Sequence, residues 1–392
     1  MNNTNILPVA ADQFQIRSDL TFLNHGSFGA CPRPVFETYQ EWQRRLEADP
    51  IEFLGRRIDE LLQTAREALA PYLGTRAENI VFVKNATFGT NIVARSLMQL
   101  LKPGDEVLAT DHEYGAADRT WRFLCAQHGI TYRNQPIPVP LESAEEMIEQ
   151  LWRGVTPRTR IIFISHITSP TALIFPVEQI CQRAREAGII TVIDGAHAPG
   201  HVPLSLDALG VDFYAGNCHK WLCAPKGSAF LYARPERQAL LQPLIVSWGW
   251  ESRSPSDSPF QDVFGWTGTE DPAAYLSVPA ALAFQREHNW GAVRQACHEL
   301  VSDARRRITT LLGSTSLCSD DSRWWGQMCA IPLPDCTDPM LQQRLREEWQ
   351  IEIPISGWNQ RCLLRISLQG YNSPADVERL YTALEAMFTG SV

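Results

Sequence analysis

The sequence predicts an α/β fold: a mostly parallel sheet covered by helices on both faces, with a smaller α+β region behind it. Three observations carry this. Near-continuous β-branched runs, such as "TRIIFISHIT" (159–168) and "IITVIDGAH" (189–197), read as strands buried on both faces. Amphipathic stretches alternate with them at helical period. After about residue 275 the pattern changes to short strands mixed with helices.

Taken in order, 35–71 reads as helical. "NIVFVKN" (79–85) is strand-like and "GTNIVARSLMQLL" helical. "DEVLATD" (105–111) is a strand before the helix "ADRTWRFLCAQHG". The strand at 159–168 precedes the helix "VEQICQRAREAG". The strand at 189–197 is followed by "DFYAGN" and "GSAFLYA". A stretch rich in Ser, Pro, Gly and Trp spans 235–275 and reads as a long ordered loop. The helices "AAYLSVPAALAFQREH" and "GAVRQACHELVSDARRRITTLLG" follow. The end carries the strands "QMCAIPL", "IEIPIS" and "RCLLRISL" and the helices "DPMLQQRLREEW" and "PADVERLYTALEAMF".

With 392 residues the chain has room for two domains. Residues 44% hydrophobic and 20% charged are those of a soluble globular protein. A net charge of -9 argues against a nucleic-acid partner. The first residues lack a basic stretch followed by an apolar one, and no apolar run reaches membrane-helix length, so neither a signal peptide nor a membrane span is expected. The ten cysteines form no C-x-x-C pair. Reduced, mostly buried thiols in a cytoplasmic enzyme are the simplest expectation, with no metal site.

Ligands of such sheets sit beyond the carboxyl ends of the strands, so the residues there carry the functional reading. "DGAHAPG" places Asp194 where a buried strand opens, with His197 three residues on. An N-cap aspartate is the plainer interpretation, but a carboxylate there could also hold a cationic ring nitrogen. "GNCHKW" places Lys220 at the next edge; it is either a solvated loop lysine or, if desolvated, a nucleophilic amine. "KNATFGTN" precedes a helix whose first amides, with Thr87 and Thr90, would suit an anion or simply cap the helix. In "DHEYGAADR", His112 and Tyr114 could cover a flat ring or merely pack. Neither a P-loop nor a G-x-G-x-x-G motif competes.

An anion cradle, an aspartate for a ring nitrogen, an aromatic cover and a lysine together describe pyridoxal 5′-phosphate (PLP) chemistry. On "FLNHGSFGACP" (22–32), "NATFGTN" (85–91), "TDHEYGAADRTW" (110–121), "SHITSPTALIFPV" (165–177), "DGAHAPG" (194–200), "GNCHKWLCAPKGSAFLY" (216–232), "WTGTED" (266–271) and "LLRIS" (363–367), the sequence resembles fold-type I PLP enzymes of the class V aminotransferase family. Within it, the sequence looks most like the isopenicillin N epimerase-like branch. The resemblance runs over nearly the whole chain.

It implies a mostly parallel, seven-stranded-type sheet in a large PLP-binding domain (35–275). A segment lining the active site (1–34) would precede it and a small α+β domain (276–392) would follow. Lys220 would form the Schiff base, Asp194 would pair with the ring nitrogen, and His197 would lie near the ring's phenolic oxygen, where Ser169 replaces a desulfurase asparagine. Ala86 and Thr87 would bind phosphate, with Asn217 and His219. Thr269 would reach the phosphate of a neighbouring subunit, implying a homodimer. Tyr114 aligns best with the ring-stacking position and His112 next. Arg365 would clamp the substrate carboxylate, with Asn24 and His25 on the substrate side.

The substrate implied is an amino acid or a derivative of one, attacked at its α-carbon. The family pattern favours an epimerase or racemase, in which Tyr114 or a neighbour supplies a second acid. A cysteine- or cystine-type C–S β-lyase is the alternative, and an aminotransferase is also open. A cysteine desulfurase is disfavoured, because the only cysteine near Arg365 is Cys362, inside an apolar strand run. Trp248, Trp250 and Trp266 either pack or line a bulky substrate's pocket.

Overall fold

The computed structural model of the protein describes residues 11–252, 255–334 and 339–388. Its strands are β1 (Thr21–Phe22), β2 (Ile80–Val83), β3 (Glu106–Thr110), β4 (Thr131–Gln135), β5 (Thr159–Ser165), β6 (Ile190–Asp194), β7 (Phe213–Asn217), β8 (Ala229–Ala233), β9 (Met328–Pro332), β10 (Ile351–Glu352), β11 (Ile355–Trp358) and β12 (Arg361–Ser367). Seven form the main sheet in the order β2-β8-β7-β6-β5-β3-β4. All are parallel in sense except β8, which runs against both its neighbours. The expected mostly parallel sheet is therefore present.

Composition explains the placement. Ile161, Ile162, Phe163 and Ile164 of β5 are all fully buried, as are Phe213 and Tyr214 of β7. Each such side chain contributes about 1.5–3 kcal/mol on leaving water, so these runs settle in the middle of the sheet. β4, which the sequence reading omitted, is one of the two edge strands. Its "TYRNQ" is exposed to half-buried, so it lacks the apolar signature of the interior strands. The helix Ala144–Trp152 was likewise passed over.

The helical stretch expected over 35–71 is broken. Helix Arg33–Ala48 stops at Asp49, whose side chain accepts from Glu52 N, and Pro50 restarts the chain. A π-helical run (Phe53–Arg57) leads into helix Ile58–Tyr72. The long segment after β8 holds a 3-10 turn (Pro235–Leu240) and the short helix Pro259–Gly265.

A second sheet, β11-β12-β9, is antiparallel and packs with helices Trp290–Leu312 and Pro374–Phe388. The chain's start belongs with this region: β1 pairs in parallel with β10, and Ser367 N donates to Leu23 O. That pairing carries residues 24–29 across to the main sheet.

Among the described residues, every free cysteine except Cys31 is buried. Cys362 departs from the expected reduced state, being disulfide-bonded; Cys336 lies outside the described residues. No helix among them is long and apolar enough to cross a membrane.

Candidate active site

Because β2, β3, β5, β6 and β7 share a direction, their carboxyl ends open on one edge. A pocket of about 320 Å³ lies there, lined by Ala86 and Thr87 after β2, Tyr114 after β3, Ser165 and Ser169 from β5 and its loop, Asp194 and His197 from β6, and Asn217, His219 and Lys220 from β7. Residues scattered over more than a hundred positions thus meet in one cavity.

At the end of the pocket beside β2, helix Ala86–Met98 begins, capped by Asn85, which accepts from Phe88 N at 2.9 Å. Asn217 Oδ1 accepts from Ala86 N at 2.8 Å, tying β7 to that helix start. His219 Nδ1 donates to Ser228 O at 2.9 Å. Burial holds its imidazole down to about 4, so the ring is neutral until an anion arrives beside it.

At the centre, Asp194 is buried and accepts from Ala196 N at 2.9 Å. Burial raises its carboxyl, and the Ala196 amide and the nearby Lys220 only partly oppose this. A neighbouring acid, Glu113, accepts from Thr110 Oγ1 at 2.6 Å and Ser165 Oγ at 2.7 Å. Burial pushes it up to about 8, against those two hydrogen bonds and with the repulsion of Asp194 adding. Protonated at neutral pH, Glu113 adds little negative charge near Asp194.

Lys220 Nζ lies 3.2 Å from His197 Nε2. Burial first, then repulsion by Arg365, draws the amine down to about 7, with Asp194 opposing. Arg365 is 7% exposed and does not itself line the pocket, although it bonds two residues that do. Its Nη1 donates to Ser169 O at 2.7 Å and Ser169 Oγ at 3.2 Å, and its Nη2 to Ser27 Oγ at 3.0 Å. Its Nε is buried without a partner among the described residues.

The structure redistributes several expected roles. His112 does not line the pocket. It is fully buried, bonds Thr171 Oγ1 at 2.8 Å and Ile137 O at 2.9 Å, and packs on Trp358. With both ring nitrogens occupied it serves packing, and of the two it is Tyr114 that lines the cavity. Asn24 and His25 also lie outside the lining; Ser27 and Phe28 stand there instead. Asn24 accepts from Ser27 Oγ at 2.5 Å, and His25 bonds Tyr371 Oη and Lys220 O. Thr90 is buried away from the cavity, unlike Thr87. The three tryptophans do not line it either: Trp248 and Trp266 border a separate surface cleft, and Trp250 another. The sequence reading missed Ser27, Phe28, Lys84, Glu113 and Ser165. Only the position of Ser165, last in a buried strand, was a usable signal.

The donor set fits pyridoxal 5′-phosphate. The helix start, Thr87 and His219 suit a phosphate; the buried Asp194, to which no cationic side chain among the described residues is hydrogen-bonded, suits a protonated ring nitrogen; Lys220 is a desolvated amine; and Arg365 suits a carboxylate. The combination supports binding an amino acid beside the cofactor and moving a proton at its α-carbon.

Comparisons with known proteins agree. The sequence pattern described as aminotransferase class-V matches residues 25–380. An isopenicillin N epimerase of Amycolatopsis lactamdurans is 38% identical over 96% of this chain and 98% of its own. A putative L-cysteine desulfhydrase 1 of Oryza sativa subsp. japonica is 30% identical over 93% of this chain and 82% of its own. Among solved structures, the protein C-DES with glycine covalently linked to its PLP cofactor superposes with a TM-score of 0.79 at 23% identity, covering 94% of this chain and 96% of that one.

Proposed function

The chain belongs to the class-V aminotransferase family, and from that premise we propose that it is a PLP-dependent epimerase or racemase of an amino acid or amino-acid derivative. The observation that carries this is the 38% identity to an isopenicillin N epimerase across essentially both chains. The pocket supports it by joining Lys220 and Tyr114 in one cavity, with Arg365 hydrogen-bonded to Ser27 and Ser169 of its lining.

When bound, PLP supplies an electron sink for the pair left at the α-carbon as its proton departs. This chain's residues do the rest. Lys220 holds the cofactor and is the natural base, because its desolvated amine takes up and gives back a proton near neutrality. Asp194 keeps the ring nitrogen protonated from a buried position. Arg365, set by Ser27 and Ser169, binds the substrate carboxylate. Thr87 and His219 would hold the phosphate, at a helix start that Asn217 fixes through Ala86 N. Tyr114, reaching the cavity after β3, carries the second proton whose return from another direction inverts the centre.

We also assign a homodimer, with Thr269 directed to the other subunit's phosphate. The support is a run of exposed apolar residues, Leu244, Ile245, Val246, Trp248 and Trp250, of which Trp248 is 79% exposed. Patches of that kind mark interfaces.

Elimination of a β-substituent is the second reading, favoured by the desulfhydrase relative. Desulfurase chemistry has less support: among the described residues no cysteine lines the pocket, and Cys362 is a disulfide-bonded strand residue.

The test is incubation of the loaded enzyme with an amino-acid panel in heavy water. α-Deuteration with inversion is expected. Pyruvate, ammonia and a thiol or persulfide would replace this reading with the lyase, and alanine from cysteine would replace it with the desulfurase.

A further inference from the structure

Behind Lys220 and His197 stands a residue that the proposed reaction does not use. Trp221 is fully buried, and its indole Nε1 donates to His197 Nδ1 at 3.2 Å. An indole N–H can only donate, so Nδ1 must be the bare nitrogen. Burial, followed by repulsion from Lys220 and Arg365, holds His197 well below its ordinary value, so the ring is neutral. A neutral imidazole with Nδ1 bare carries its hydrogen on Nε2. That nitrogen lies 3.2 Å from Lys220 Nζ, and only an unprotonated amine can accept its hydrogen.

The indole has little freedom to turn away. Its ring packs on His201 with centroids 4.1 Å apart and on His25 at 5.0 Å. Its carbonyl accepts from Gln285 Nε2 at 2.9 Å. On the other side Gly200, at φ +87°, packs so closely that a β-carbon would sit 2.2 Å from the Trp221 carbonyl carbon.

We propose that Trp221 is a positioning residue: its indole N–H locks His197 as the Nε2–H tautomer, so the lysine nitrogen always meets a hydrogen-bond donor. A donor facing that nitrogen opposes its protonation. The other groups acting on it are Arg365 from β12, Asp194 from β6, and His25 and His219 beside it; none of them fixes the tautomer of His197. The spectral part of the test rests on Lys220 being the cofactor lysine; the tautomer part does not.

The first measurement is a long-range proton–nitrogen spectrum of histidine-labelled protein, cofactor-loaded and cofactor-free, with His197 assigned by its loss in His197→Asn. An unprotonated Nδ1 and a protonated Nε2 are expected; the reverse, or averaged shifts, overturns the proposal. This decides the matter even where a Trp221 variant does not fold. The second follows the absorbance of the loaded enzyme against pH. In Trp221→Phe, Nε2 is released to accept, so protonation becomes easier and the midpoint rises by about 0.5–1 pH unit. In the His197→Asn background the same change should add no shift; an equal shift there shows that Trp221 does not act through His197. A chain that never takes up pyridoxal phosphate sinks the cofactor reading and leaves the first measurement standing.

Discussion

A β-carbon on Gly29 would lie 2.0 Å from the carbonyl oxygen of His219. Gly29 also has φ +69°, so the N-terminal segment presses on the lysine loop at a point only glycine tolerates. This contact carries Ser27 and Phe28 into the pocket. Gly29→Ala should destabilise the protein by about 2–4 kcal/mol and loosen cofactor retention. Urea midpoints with and without the cofactor check both; an unchanged midpoint refutes the contact.

Lys220 should react as a nearly neutral amine. Its value near 7 means the reactive fraction rises with pH through 7 and levels off near 8. Stopped-flow uptake of PLP by the cofactor-free chain measures this. A rate still climbing towards about 10, the ordinary lysine range, would place the amine in solvent.

Asp194 should trade stability for function. Burial raises its folded-state value above the unfolded one, so it costs stability as pH rises above the unfolded carboxyl range. Asp194→Asn should raise the melting temperature of the cofactor-free protein at pH 7 by about a degree or two. It should also lower kcat/KM on the order of 100-fold. Melting curves at pH 4 and 7 test the sign, since the gain should shrink in acid.

Arg365→Lys should keep the charge and lose the fork that meets Ser169, Ser27 and a carboxylate together. A drop in kcat/KM of about 10–100-fold is expected, corresponding to about 1.5–3 kcal/mol for a charged hydrogen bond. An ester or amide of the substrate should show little of that drop. Equal losses for both would assign Arg365 to packing.

Tyr114→Phe separates the two proton transfers. Deuterium exchange with retention should persist through Lys220, while inversion falls on the order of 100-fold. Undiminished inversion would pass the second acid to another residue.

Much of this was written locally. The strands of the main sheet announced themselves because a strand covered on both faces must be apolar throughout, and Lys220 and Asp194 stood out as polar residues ending such runs. β4 was illegible for the converse reason: an edge strand needs no apolar run. His112 and Tyr114, two residues apart, could not be separated in one dimension. The fold turned His112 inward to Thr171 and Ile137 and left Tyr114 at the cavity.

The sequence by itself determined the buried strands of the sheet, their ends and the chemical types standing at them, because hydrophobic periodicity is a local property. Only the tertiary structure decided which of those groups meet. Ser27, Ser169 and Arg365 come from three distant segments, and the β1–β10 pairing brings the first of them to the other two. The electrostatics were decided there too. A lysine becomes a near-neutral amine through burial and the nearness of an arginine 145 positions away (365 minus 220), and desolvation is a property of surroundings that no stretch of sequence contains.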